Sequence, residues 1–283
     1  MSMRWCLLLA ALGAVADGRT HEASSAAAAA GQVRLNQLGF LPGAQKLAVV
    51  ESDEARAFEV LDARGEVVLR GTTTAPARWE PAARDAAIAD LGALAAPGHY
   101  RVRVRGLPLS GPFPVDAQAY AALADASLKS FYLIRAGTPL EPAHAGRFAR
   151  AAGHPDDAVE IHASAASPGR PAGTVVSAPA GWYDAGDYNK YVVNSGITTW
   201  TLLAAYEHFP EFFRGRELGI PESGNGVPDI LDEAWWNLRW MLAMQDPGDG
   251  GVYHKLTNLR FDGMVMPEQA RERRYMVGRS TAA

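Results

Sequence analysis

The spacing of apolar residues changes period once along this chain, near residue 116, and no single class of fold accommodates both halves. Before that point the pattern is strand-like. From His99 to Arg105 polar and apolar residues alternate, placing Tyr100, Val102 and Val104 on one face of a period-2 strand. Val33 to Asn36, the apolar run Leu47 to Val50, and the pair Phe58–Leu61 and Val67–Leu69 joined by the turn Ala63-Arg64-Gly65-Glu66 add further short strands. Strands at this spacing, punctuated by Gly and Pro, predict a β-sandwich over residues 33–115. After it the pattern is helical. Tyr120, Leu123, Ser127, Phe131 and Ile134 keep helical spacing, with Gly137 where a C-cap would stand. A second helix is expected over Gly196–Phe209, apolar nearly all round and so buried on most sides. A third is expected to begin at Pro228, with Leu231, Trp235, Leu238 and Leu242 on its apolar stripe. Residues 138–180 read as a long loop.

Ahead of both halves, Arg4, the apolar stretch Cys6–Leu12 and Ala14-Val15-Ala16 have the layout of an export signal over residues 1–16, too short to span a bilayer. The Ala/Ser-rich residues 17–32 read as a tether. These features predict a secreted or periplasmic protein. Cys6 is the single cysteine, which excludes an intramolecular disulfide and a Cys-based zinc site. The formal charge of -4 gives no basic face for nucleic acid and suits a neutral substrate.

The segment richest in chemistry is Gly181-Trp182-Tyr183-Asp184-Ala185-Gly186-Asp187-Tyr188-Asn189-Lys190-Tyr191. Two carboxylates stand three residues apart, separated by small residues and flanked by aromatics. Gly186 is expected to take the backbone conformation closed to other residues, so that the turn aims both carboxylates at one point. Aromatics beside carboxylates suit a sugar, with flat faces for the ring and oxygens for hydroxyls or water. On spacing alone the pair equally suits a calcium loop or a plain Asx turn.

The motif Asp184-Ala185-Gly186-Asp187-Tyr188 resembles that of glycoside hydrolase family 9, the cellulases and related β-glucan and glucosaminide hydrolases. The segments Asn194 to Thr199, Ile220 to Glu233, Met244 to Asp246 and Gly250 to Lys255 are similar to that family as well, and Val33 to Phe40 resembles the start of the immunoglobulin-like module that precedes many of its catalytic domains. The resemblance implies an immunoglobulin-like sandwich followed by an all-α (α/α)6 barrel over residues 116–283, incomplete and truncated at the C-terminus. It implies an inverting hydrolase of β-glycosidic bonds, cellulose or another β-1,4-glucan, that needs no cofactor for its chemistry. Asp187 is then the base and Asp184 its partner on the same water. Trp182, Tyr188 and His254 are candidate sugar contacts. The general acid, a late glutamate in the family, matches none of Glu222, Glu233 or Glu268 and is expected to be missing. The loop Glu222 to Asp229 clusters oxygen donors, so Glu222, Asn225 and Asp229 are candidate ligands of a structural calcium ion; a capped helix start explains the same residues. Alternatives are a non-catalytic carbohydrate-binding or structural fragment, and an exo-acting β-glucosidase or glucosaminidase. With barrel partners missing, Trp200, Trp235, Trp236 and Trp240 are expected to be exposed.

Overall fold

The computed structural model describes residues 32–283. The expected export signal, Cys6 and all but the last residue of the tether lie outside the described residues. The chain divides into two compact units, one ending at Ala121 and the other running from Ala122 to Ala283.

The first unit is built from two four-stranded antiparallel sheets. One has the order Val33–Arg34, Leu47–Glu51, Arg84–Asp90, Ala77–Trp79; the other runs Val67–Thr72, Ala57–Leu61, Gly98–Val104, Phe113–Val115. The alternation read from the sequence sets which face is inside. Tyr100, Val102 and Val104 are buried and share one core with Phe58 and Val60 of the same sheet and Ala48, Val50 and Ala89 of the other. Burying a side chain such as Val60 or Val102 stabilises the fold by about 1.5–3 kcal/mol. The strands Arg84–Asp90 and Ala77–Trp79 are not legible in the sequence pattern. Alanine supplies the inward residues of the former, Ala87 and Ala89, and alanine carries little strand signal.

The second unit contains helices Ala121–Leu133, Val192–His208 and Asp229–Ala243, with short helical turns between them. It is not all-α as expected. A five-stranded sheet runs in the order Val175–Val176, Val159–Ile161, Arg274–Arg279, Tyr253–Asn258, Lys190–Tyr191. Two of its strands come from the stretch read as loop, and each is only two or three residues long, below the length at which periodicity is visible. Arg274–Arg279 joins the sheet by pairing parallel to Val159–Ile161 and antiparallel to Tyr253–Asn258. Gly278 and Arg279 are the last residues of that strand.

Helix positions also differ from the pattern-based expectation. Pro228 is the N-cap residue and Asp229 the first helical one. The buried residues of Asp229–Ala243 include Ile230, Glu233, Ala234, Asn237 and Trp240, while Trp235 and Leu242 are exposed, so the inner face is rotated from the stripe of leucines. The polar members are admitted because they are paired: Asn237 donates to Thr199 Oγ1 at 3.0 Å and Arg135 lies 2.9 Å from Glu233. Val192–His208 is not buried on most sides. Val192, Ser195, Thr199 and Leu202 face inward, and Ile197 and Trp200 are 61% and 65% exposed. Of the four tryptophans expected at the surface, Trp200 and Trp235 are exposed, Trp236 is half-buried, and Trp240 is fully buried against the sheet.

Candidate active site

The acidic turn sits between the sheet and the helices. Gly181 leads into it at φ 81°, and a Cβ there would meet the Trp240 ring at 2.8 Å, so only glycine fits. Its carbonyl accepts from Trp236 Nε1 at 3.1 Å and from the Ala136 amide at 2.9 Å. After the turn the chain enters the short strand Lys190–Tyr191 and then the helix beginning at Val192.

Within the turn the backbone departs from expectation. Gly186 has no positive φ and open space where a Cβ would stand. The left-handed residue is Tyr188, at φ 56°. Its ring holds it there, packing edge-on at 5.0 Å from Tyr183 while its hydroxyl donates to the Val265 carbonyl. A non-glycine residue at such a φ is held by its surroundings, and such residues concentrate at functional sites.

Each carboxylate has its own amide partner. Asp184 is exposed and accepts from Asn194 Nδ2, in the first turn of Val192–His208, at 2.8 Å. Asp187 is half-buried and accepts from the Asn189 amide at 3.2 Å and from Asn189 Nδ2 at 2.7 Å. The Asp184 amide donates to the Asn189 carbonyl at 2.9 Å, so one asparagine ties the two acidic residues together.

An open cleft of about 470 Å³ runs over the turn. Asp184, Ala185, Gly186, Tyr183 and Tyr188 line one side; Phe148, Arg150 and Met266 contribute elsewhere. Asp187 is on the same turn but not on the cleft wall. Phe148 is 53% exposed, a flat apolar face in the cleft that the sequence reading missed, since nothing in the alanine-rich stretch around it marks it.

The other candidates separate. Tyr188 lines the cleft. Trp182 is 4% exposed and packs on Phe131 with ring centroids 4.8 Å apart, so its ring belongs to the core beneath the turn. His254 lies on Tyr253–Asn258, facing Ser280 Oγ at 3.3 Å, and is not part of this cleft. The three calcium candidates are engaged by groups of the protein itself. Both oxygens of Glu222 are taken by Arg135, at 3.0 and 3.1 Å. Asn225 Oδ1 accepts from the Val227 amide at 2.7 Å, and buried Asp229 accepts from the Leu218 amide and Ser223 Oγ, both at 2.6 Å. No cluster of three or more His, Cys, Asp or Glu side chains able to hold a metal occurs among the described residues.

Beneath the turn lies a buried charged group that sequence reading did not single out. Asp156, itself at a left-handed φ of 52°, pairs with Lys190 at 2.7 Å and with Arg274 Nε at 3.1 Å. Burial opposes ionisation of Asp156, but the two cations outweigh it and hold its carboxyl below the usual range. Close by, His154 meets the Tyr183 hydroxyl at 3.0 Å, and that hydroxyl donates to the Gly153 carbonyl at 2.9 Å. Burial, with Arg274 adding to it, lowers His154 to about 4. Burial likewise pushes the Tyr183 hydroxyl up. The inner side of the turn thus rests on buried charged and polar groups, while the cleft wall carries Asp184 together with Arg147 and Arg150.

Residues 120–283 match the family described as Glycosyl hydrolase family 9, and residues 28–108 match the Cellulase N-terminal ig-like domain. Among characterised proteins, a xyloglucan-specific endo-beta-1,4-glucanase of Bacteroides ovatus is 48% identical over 254 residues, which cover 89% of this chain and 43% of that protein. Endoglucanase D of Acetivibrio thermocellus is 33% identical, covering 89% of this chain and 39% of that protein. Among solved structures, a Bacteroides ovatus GH9 protein superposes with a TM-score of 0.82 at 47% identity, covering 88% of this chain and 46% of that one. The chain spans less than half the length of each of these relatives. With a match over more than half its length, carrying the acidic turn and the cleft above it, the chain belongs to glycosyl hydrolase family 9.

Proposed function

We propose that the protein hydrolyses β-1,4-glycosidic bonds in a glucan with inversion, Asp187 serving as general base and Asp184 as its partner on the attacking water. The observation that carries this is the turn itself. Two carboxylates three residues apart are each fixed by an asparagine amide, and Asp184 opens on a cleft with aromatic walls. Both acids stand on one short turn and so serve one face of the sugar. Inversion then requires the acid on the opposite side, roughly 6.5–9.5 Å from the base, to leave room for the water. Neither Glu222 nor Glu233 suits that role, because both are bound to Arg135. The family resemblance assigns the acid to a later glutamate. Tyr188 and Phe148 are the aromatic faces best placed to meet a sugar ring, and Trp182 supports the turn from below.

The relatives' activities support a β-1,4-glucan, with xyloglucan to be tested beside cellulose. The layout of residues 1–16 supports export to where such polymers are found. Among the described residues no helix is long and apolar enough to cross a membrane. The test is Asp187→Asn in the full-length protein, assayed on both polymers, with the anomer of the first product followed by NMR. Loss of a general base costs about 10²–10⁴-fold in rate. Activity within tenfold of wild type, or a product that retains configuration, overturns the assignment.

A further inference from the structure

We propose that Asn189 is a positioning residue that sets the orientation of the Asp187 carboxylate, and that Arg274 fixes which way the Asn189 amide faces. The inference rests on Asp187 being the base. An asparagine side chain can be turned either way, and only its neighbours decide which end carries the oxygen. Here they leave no choice. Asn189 Oδ1 faces two groups that can only donate, the Asn258 amide at 3.2 Å and Arg274 Nη1 at 3.4 Å. Nδ2 is therefore turned to Asp187 Oδ2, an acceptor, at 2.7 Å. Arg274 is itself held by Asp156, with Nε 3.1 Å from Oδ1, and Asp156 by Lys190. The sequence of contacts Asp156, Arg274, Asn189, Asp187 thus runs from a buried ion pair to the carboxylate that must take a proton from water. Every residue in it before Asp187 is buried, so no solvent competes for the amide.

This arrangement has a chemical purpose. A base must be ionised when water arrives and must present a fixed lone pair to it. Two N–H donors from Asn189 hold the carboxylate and fix its rotation. The other charged and titratable groups around the turn are Asp184 on the turn itself, Arg147 and Arg150 across the cleft, His154 against Tyr183 and Tyr188, Arg274 and Asp156 beneath, Lys190 on the following strand, and Asp262, which accepts from Asn258 Nδ2 at 2.8 Å. Asn189 does not touch the cleft wall, so its effect should fall on catalysis rather than on binding.

The test uses the full-length enzyme. Asn189→Asp puts an acceptor where the donor to Asp187 stood, forcing two carboxylates to share a proton or repel. The acid limb of kcat/KM is expected to move up by about one pH unit or more, because a neighbouring negative charge favours the protonated acid. The rate constant kcat should fall at least ~10-fold at pH 6 with KM within about threefold, the loss expected when a base is misplaced but the substrate still binds. Asn189→Ser removes the amide without adding charge and should lower kcat, because Asp187 loses the donor that orients it. Circular dichroism establishes which variants fold, and if Asn189→Asp does not, Asn189→Ser decides. A folded variant with a wild-type acid limb and unchanged kcat overturns the inference. Asp187→Asn is run alongside. If it is inactive while the Asn189 variants behave as wild type, only the positioning role falls; if it keeps its activity, the base assignment falls first.

Discussion

Replacing Asp156 by asparagine tests whether the buried charges beneath the turn hold this unit together. Asp156 and Lys190 have fully buried side chains, and the carboxylate is shared between Lys190 at 2.7 Å and Arg274 at 3.1 Å. Asparagine keeps the size and one acceptor but removes the charge. Two cations would then face each other without their common counter-ion, and breaking a buried pair in this way costs about 3–5 kcal/mol. At about 2–4 °C per kcal/mol for a unit of 150–250 residues, the melting transition should fall by roughly 6–20 °C. Differential scanning calorimetry of the full-length protein reads this directly. The double variant Asp156→Asn/Lys190→Met removes the stranded ammonium and should recover part of the loss, though the Ala178 and Ala180 carbonyls lose the Lys190 donor. The sign with pH follows from the same group. The folded carboxyl lies below its ordinary value of 3.8, so its contribution is present above that pH and is lost as pH falls through the folded value. A single variant that melts within about 2 °C of wild type, less than one kcal/mol on the same scale, or a double variant less stable than the single, would refute the argument that charge, rather than packing, does the holding.

Three further outcomes are expected. Gly181→Ala should destabilise by about 2–4 kcal/mol, since alanine resists φ 81° and its Cβ would press on Trp240; thermal melts followed by tryptophan fluorescence check it. Because His154 is lowered to about 4 against 6.5 unfolded, the unfolded chain binds the extra proton between those values, so stability should fall as pH drops from 6.5 to 4, and His154→Phe should flatten the melting temperature across that window. Because Glu222 is committed to Arg135 and Asn225 to its own loop, any calcium response of the full-length protein's melting temperature should be the same in Asn225→Ala, and a response lost in that variant would restore the loop as an ion site.

What the sequence made legible follows the physics of each signal. The strand Gly98–Val104 announced its inner face because Tyr100, Val102 and Val104 are large and alternate with arginines. Arg84–Asp90 did not, because its inward residues are alanines. The acidic turn was legible as chemistry, since Asp184 and Asp187 stand close together in the chain among aromatics. Its geometry was not: the strained position fell on Tyr188 and not on Gly186, and a tyrosine held by distant packing leaves no local mark. The support beneath it was invisible for a similar reason. Asp156 and Arg274 are 118 residues apart and meet only through the parallel pairing of two short strands. The partner of Glu222 was equally illegible, because Arg135, which holds that carboxylate, lies 87 residues before it.

The parallel pairing of Arg274–Arg279 with Val159–Ile161 also sets an order of events on the ribosome. The acidic turn is synthesised well before Arg274, which lies 85 residues beyond Asn189. At about 5–20 residues per second, roughly 4–17 s pass between the emergence of the two. During that interval a nascent chain carries both carboxylates but has no guanidinium to orient Asn189 and no partner strand for Val159–Ile161. Until Arg274 has emerged, the turn lacks the contact that sets the Asn189 amide.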